Sequence, residues 1–142
     1  MAGFDFFRNF DKMAMALWTF RCYVSPGGRD MIDDWLGRQS DEVQAAMAVA
    51  VEYLVQRPRN EWRRPEFDLL SGKMREIGEI RFKVDKQYRI LGSFGPSRSD
   101  FTLLVGASKK GSNYDPKNAL KTALDRLKQT RSDGRLSHVC DF

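Results

Sequence analysis

The chain around residues 79–94 alternates with the period of a strand. In Glu79-Ile80-Arg81-Phe82-Lys83-Val84, side chains reverse sides at every residue, so Ile80, Phe82 and Val84 share one face and Glu79, Arg81 and Lys83 the other. Gln87-Tyr88-Arg89-Ile90-Leu91-Gly92-Ser93-Phe94 reads as the returning strand. A two-residue loop Asp85-Lys86 would set Phe82 opposite Arg89. A three-residue loop Asp85-Lys86-Gln87 sets Phe82 opposite Ile90 and Lys83 opposite Arg89, and this is the expected register. It gathers Arg81, Lys83 and Arg89 on one exposed sheet face. Like charges across a strand pair repel, so the row points either to an anion held between them or to a solvated face of an antiparallel sheet.

The rest of the chain supplies partners for this hairpin. Trp18 to Val24 reads as a first strand ended by Ser25-Pro26-Gly27-Gly28. Arg29 to Gln39 carries Met31, Ile32, Trp35 and Leu36 on one helical face, and Ser40 caps a second helix bearing Val43, Met47, Ala50, Val51 and Leu54. Arg57-Pro58-Arg59-Asn60 closes that helical hairpin, and Glu66 to Leu70 is read as a short turn. Phe101 to Ala107 is almost continuously apolar, as a strand buried on both sides would be. Asp115 is expected to cap a final helix with Pro116 in its first position and Leu120, Ala123, Leu124 and Leu127 on its buried face. Residues 1–17 read as an N-terminal extension in which Met13 or Met15 is an alternative start. Residues 18–130 form the folded domain, and 131–142 a loosely held polar tail. The expected architecture is α+β: a small antiparallel sheet, an N-terminal helical hairpin and a C-terminal helix, with the helices on one face.

At 142 residues, 42% hydrophobic, with three Trp and ten Phe, the chain has material for one core. Its charge is uneven: residues 1–56 hold 5 Lys+Arg against 8 Asp+Glu, and residues 57–142 hold 19 against 11. The second part therefore favours phosphate-bearing or acidic partners. Asp5 and Asp11 stand where a signal peptide would be basic, and no stretch is long enough to span a bilayer, so a soluble cytoplasmic protein without a membrane role is expected. Cys22 and Cys140 have no metal-ligand spacing; free thiols are expected, with no metal and no cofactor. Trp35 and Phe101 have core neighbours, whereas Trp62, between Glu61 and Arg63, fits either packing or base stacking.

Glu79-Ile80-Arg81-Phe82, then Tyr88-Arg89-Ile90-Leu91, then Lys109-Lys110 followed by Asp115-Pro116 and a helix at Ala119, in this order, resemble the RelE/HigB superfamily of bacterial toxins, closest to its phage-derived HigB-like branch. The resemblance runs from about Trp18 to about Leu127. It implies a RelE-like fold and a toxin of a type II toxin–antitoxin pair that cleaves translated mRNA on the ribosome. Its partners would be the ribosome, the message and a cognate antitoxin, typically a helix-turn-helix protein. By position, Arg81 and Arg89 match phosphate-binding, transition-state-stabilising cations, and Lys109 and Lys110 the basic pair closing the last strand. Tyr114 falls where some members carry a stacking or proton-transferring residue, at a different offset. Trp62, Arg63 and Arg64 match a segment that would contact ribosomal RNA, with Lys83 beside them. Cleavage through the 2′-hydroxyl needs a base, positive charge on the pentacoordinate phosphate and an acid for the 5′-oxygen. Since the single histidine, His138, sits in the polar tail and reads as a surface residue, the base falls to Lys109, Lys110 or Glu79; Glu79 also reads as a simple partner for a neighbouring cation. The same fold serves gyrase poisons and phage-derived binding modules that cleave no RNA. The basic set Arg81, Lys83, Arg89, Lys109 and Lys110 argues for the RNA-directed member.

Overall fold

The computed structural model describes residues 16–141, so almost all of the N-terminal extension and both alternative start residues lie outside the described residues. β1 (Thr19–Tyr23) is followed by α1 (Met31–Gly37) and α2 (Asp41–Val55). Both helices begin on side-chain caps. The Asp30 carboxylate accepts from the Ile32 and Asp33 N–H groups, and the Ser40 hydroxyl accepts from Val43 N–H at 3.2 Å. The chain then forms β2 (Phe67–Leu69), β3 (Gly78–Lys83), β4 (Gln87–Phe94), β5 (Asp100–Lys110) and β6 (Asn113–Asp115). α3 (Ala119–Ser132) and β7 (Ser137–Val139) complete it.

One seven-stranded sheet organises the domain, in the order β2-β3-β4-β5-β1-β7 with β6 on the end of β5. The α1–α2 hairpin carries the chain from β1, near one edge, to β2 at the other. β1 thus lies parallel to β5, and the sheet is mixed rather than antiparallel. The helices do not share a face. α1 and α2 cover one side over Phe20, Phe67, Ile80, Ile90, Phe101 and Leu103, and α3 covers the other over Tyr23, Leu91, Val105 and Ala107. The α+β class and RelE-like arrangement hold, with a second layer of helix that a one-face reading omits.

Trp62 is the hub of the first core. It is 6% exposed, its ring lies 5.0 Å from Trp18 and 5.2 Å from Phe67, Phe94 and Phe101, and its indole N–H donates to the Leu54 carbonyl. Its charged neighbours misled; the residue packs. Phe101 is fully buried as expected, and Trp35 lies directly on Gly106, where a Cβ would come within 2.2 Å of the ring.

Several boundaries differ from the sequence reading. The β3–β4 loop has three residues, but they are Val84, Asp85 and Lys86: Phe82 pairs with Tyr88, Arg81 with Arg89 and Lys83 with Gln87. This keeps each residue on its expected face and slides the partners by two positions. Residues 67–69 are a strand rather than a turn. Asp115 ends β6, and the last helix starts at Ala119 after Asn118. The segment beyond Arg131 is not loose: β7 pairs with β1, and Cys140 N–H donates to the Phe20 carbonyl at 2.9 Å. That pairing sets Cys140 beside Cys22, Cα to Cα 5.1 Å, and the two form a disulfide instead of free thiols. His138 also gains a partner, Asp30 Oδ2 at 2.6 Å, while its side chain stays 48% exposed.

Candidate functional site

On the α3 side of the sheet, the register lines up polar residues across four strands. Arg81 of β3 stands directly opposite Arg89 of β4, Gln87 opposite Lys109 of β5, and Lys109 opposite Tyr114 of β6. Two guanidinium groups forced side by side need an anion between them. Glu79, 1% exposed, supplies it. Its Oε1 lies 3.0 Å from Arg81 Nη1 and 3.6 Å from Arg89 Nε, and its Oε2 accepts the Tyr114 hydroxyl proton at 2.7 Å.

Arg89 is only 5% exposed, so the expectation of an exposed Arg89 is corrected: Glu79, Gln87 and Tyr114 enclose it with Arg81. Its Nη1 donates to the Tyr88 carbonyl at 2.8 Å and to Gln87 Oε1 at 3.3 Å. Its Nε, buried at 3.6 Å from the carboxylate, pairs with it as a charge but is beyond hydrogen-bond reach and has no hydrogen-bond partner among the described residues. Burial, then the Arg81 charge, pulls the Arg89 pKa below its ordinary value, with Glu79 acting against both. Burial and the Glu79 carboxylate push the Tyr114 hydroxyl well above its ordinary 10.0. Tyr114 therefore keeps its proton and presents its ring to Lys109, whose Nζ is 4.8 Å from the ring centre.

Arg81 is the guanidinium of the pair that reaches solvent, with 21% of its side chain exposed. It lines a cavity of about 220 Å³ at the β2 edge with Pro65, Glu66 and Lys83. Lys83 and Gln87 also belong to a larger cleft of about 590 Å³ framed by Lys86, Lys109, Lys110 and Tyr114. The two openings form one basic tract along the ends of β3, β4 and β5. Arg64 joins it indirectly: it binds Asp68 at 2.9 Å, and Asp68 lies 3.9 Å from Arg81. Arg63 is exposed nearby, whereas Trp62 is buried in the opposite core and offers no face to a base. Gln87, Lys86 and Asp68 were not among the expected site residues; the observed register sets Gln87 between Lys83 and Lys109. Among the described residues no cluster of His, Cys, Asp and Glu is arranged to hold a metal ion.

The family of phage-derived proteins described as "Phage derived protein Gp49-like (DUF891)" matches residues 34–128, from α1 to the last turns of α3. The chain belongs to the Gp49-like family. Gp49-like proteins fall within the RelE/HigB-like toxin superfamily and are toxin-like. Every residue of the basic tract and of the Glu79 network lies inside the matched Gp49-like region. No curated protein matches the sequence.

Proposed function

We propose that this Gp49-like protein is the toxin of a type II toxin–antitoxin pair and acts in the cytoplasm as a ribosome-dependent endoribonuclease on translated mRNA. The observation that carries this reading is the convergence of Arg81, Lys83, Lys86, Lys109 and Lys110 on one tract backed by a buried carboxylate. In the reaction the 2′-hydroxyl gives up its proton as it attacks phosphorus, and the departing 5′-oxygen takes one. Arg81, Lys109 and Lys110 neutralise the pentacoordinate phosphate, and Lys83, Arg63 and Arg64 hold the RNA backbone. Arg89 and Tyr114 hold Glu79, and through it Arg81. Both Glu79 oxygens are engaged, so Lys109, at the cleft and over Tyr114, is the better placed group for proton transfer. No side chain in this set rivals a pair of histidines, which suits an enzyme whose substrate is positioned by the ribosome. A cognate antitoxin of the helix-turn-helix type would silence the protein by covering the same cations.

One observation favours a binding module without turnover: Glu79 and Arg89 are buried and mutually engaged, as in a purely structural network. Induced expression in a bacterial host separates the two. The enzyme reading expects growth arrest and messages shortened within translated regions, relieved by the antitoxin. Normal growth with intact messages at a confirmed protein level would leave the binding module.

A further inference from the structure

A second cavity, of about 630 Å³, opens on the α3 side of the sheet at the end away from the basic tract. Its floor is a cross-strand row: Ser93 of β4 pairs with Thr102 of β5, and Thr102 with Arg21 of β1. Neighbouring strands are about 4.8 Å apart, so the row spans roughly 10 Å. Leu127 and Thr130 of α3 form one wall and the Phe94–Pro96 backbone turn another.

Two polar groups of this floor face the cavity. Ser93 is 3% exposed and lines the cavity floor. Arg21 is half-buried and pinned: its Nε donates to Ser137 Oγ at 3.0 Å and its Nη2 to the Ser137 carbonyl at 2.9 Å. Neither contact is an anion, and among the described residues no carboxylate pairs with this guanidinium. A fixed cation with an unused N–H, no acid among the cavity's lining residues and a hydroxyl across the same floor form a receptor for an anion. Arg131 also lines the cavity but is already bound to Glu76 at 2.6 Å, and the carbonyls ending α3 oppose negative charge, so the site depends on Arg21.

We propose that this cavity binds a small amphipathic anion, a carboxylate or phosphate head on an apolar body. The head sits on Arg21, the body runs along Pro96 and Leu127, and an acceptor at the far end reaches Ser93. A cavity of this size lies within the range that holds drug-sized molecules.

Amide chemical-shift titration of the full chain with benzoate and, separately, phenyl phosphate tests the proposal, with inorganic phosphate as the probe without a body. Saturable shifts are expected at Arg21, Ser93, Thr102 and Leu127 with one or both aromatic anions, and the stronger of the two names the head. Arg21→Gln should weaken binding about tenfold or more, the order expected for losing one charge-assisted contact. Ser93→Ala should weaken it severalfold, and Lys109→Ala should leave it unchanged. The proposal is overturned by the absence of saturable shifts into the millimolar range, by shifts confined to the Lys83–Lys110 tract, or by undiminished binding in Ser93→Ala. Should Arg21→Gln unfold, the Ser93→Ala and Lys109→Ala arms still decide.

Discussion

β3 and β4 present two faces built from alternate residues of the same segments, and the faces obey different rules. Toward α1 and α2 they offer Ile80, Phe82, Tyr88 and Ile90, packed with Phe67 and Phe101 into an aromatic core. Toward α3 they offer Glu79, Arg81 and Arg89, charges that an apolar face would replace without loss of stability. Burial of the first set explains why the domain folds. Burial of the second does not, and its position beside Lys83, Lys86, Lys109 and Lys110 is what assigns it to chemistry.

The comparison breaks most visibly at Glu79. Glu79→Ala leaves Arg89 buried without its counter-charge and should destabilise by about 3–5 kcal/mol in urea denaturation, on the scale of deleting a core aromatic. A loss below about 1 kcal/mol, typical of an exposed pair, would mean the network is solvated. Breaking the Cys22–Cys140 disulfide, which closes a loop with a sequence separation of 118, should lower stability by roughly 2–5 kcal/mol without touching either face's charges. Denaturation with and without a thiol reductant, alongside a thiol count on the untreated protein, checks this. Free thiols before reduction would return Cys22 and Cys140 to the state their sequence context suggests.

Smaller still is Tyr114→Phe, which removes one hydrogen bond to Glu79 and should cost about 1–3 kcal/mol at neutral pH. The folded-state pKa of Tyr114 lies above its ordinary 10.0. Its contribution is therefore complete below pH 10 and lost as pH rises from there toward the folded value. Tyr88, raised by burial and by its bond to Asp85, acts in the same direction. Stability measured across the alkaline range should fall less steeply in Tyr114→Phe than in the wild type, and identical slopes would contradict the Glu79 contact.

What the sequence made legible follows from this two-faced strand pair. Alternation alone assigns Arg81, Lys83 and Arg89 to one face, and parity survived a register error of two positions because such a slip moves no side chain across the sheet. The loop itself was ambiguous, since Val84-Asp85-Lys86 and Asp85-Lys86-Gln87 are turns of equal length. The burial of Arg89 was not legible because it depends on Glu79 and Tyr114 converging on it from two other strands, which no local pattern records. Trp62 was misjudged for the converse reason: its charged neighbours point outward while its ring points in. β7 escaped because Ser-His-Val is short and half polar, and only its pairing with β1 makes it a strand. The family resemblance supplied the candidate residues, and the structure supplied the division between Arg81, which reaches solvent, and Arg89, which does not.

That division makes Arg81 the cleaner probe of the central claim. The direct measurement adds purified protein to ribosomes translating a defined message and maps the ends of the RNA fragments, for the wild type, Arg81→Ala and His138→Ala, each confirmed as folded. The account predicts cleavage of ribosome-bound message by the wild type and by His138→Ala, and a loss on the order of 100-fold or more for Arg81→Ala, the usual size for removing one transition-state charge partner. An intact message with the wild type, or cleavage by Arg81→Ala at the wild-type rate, would contradict it.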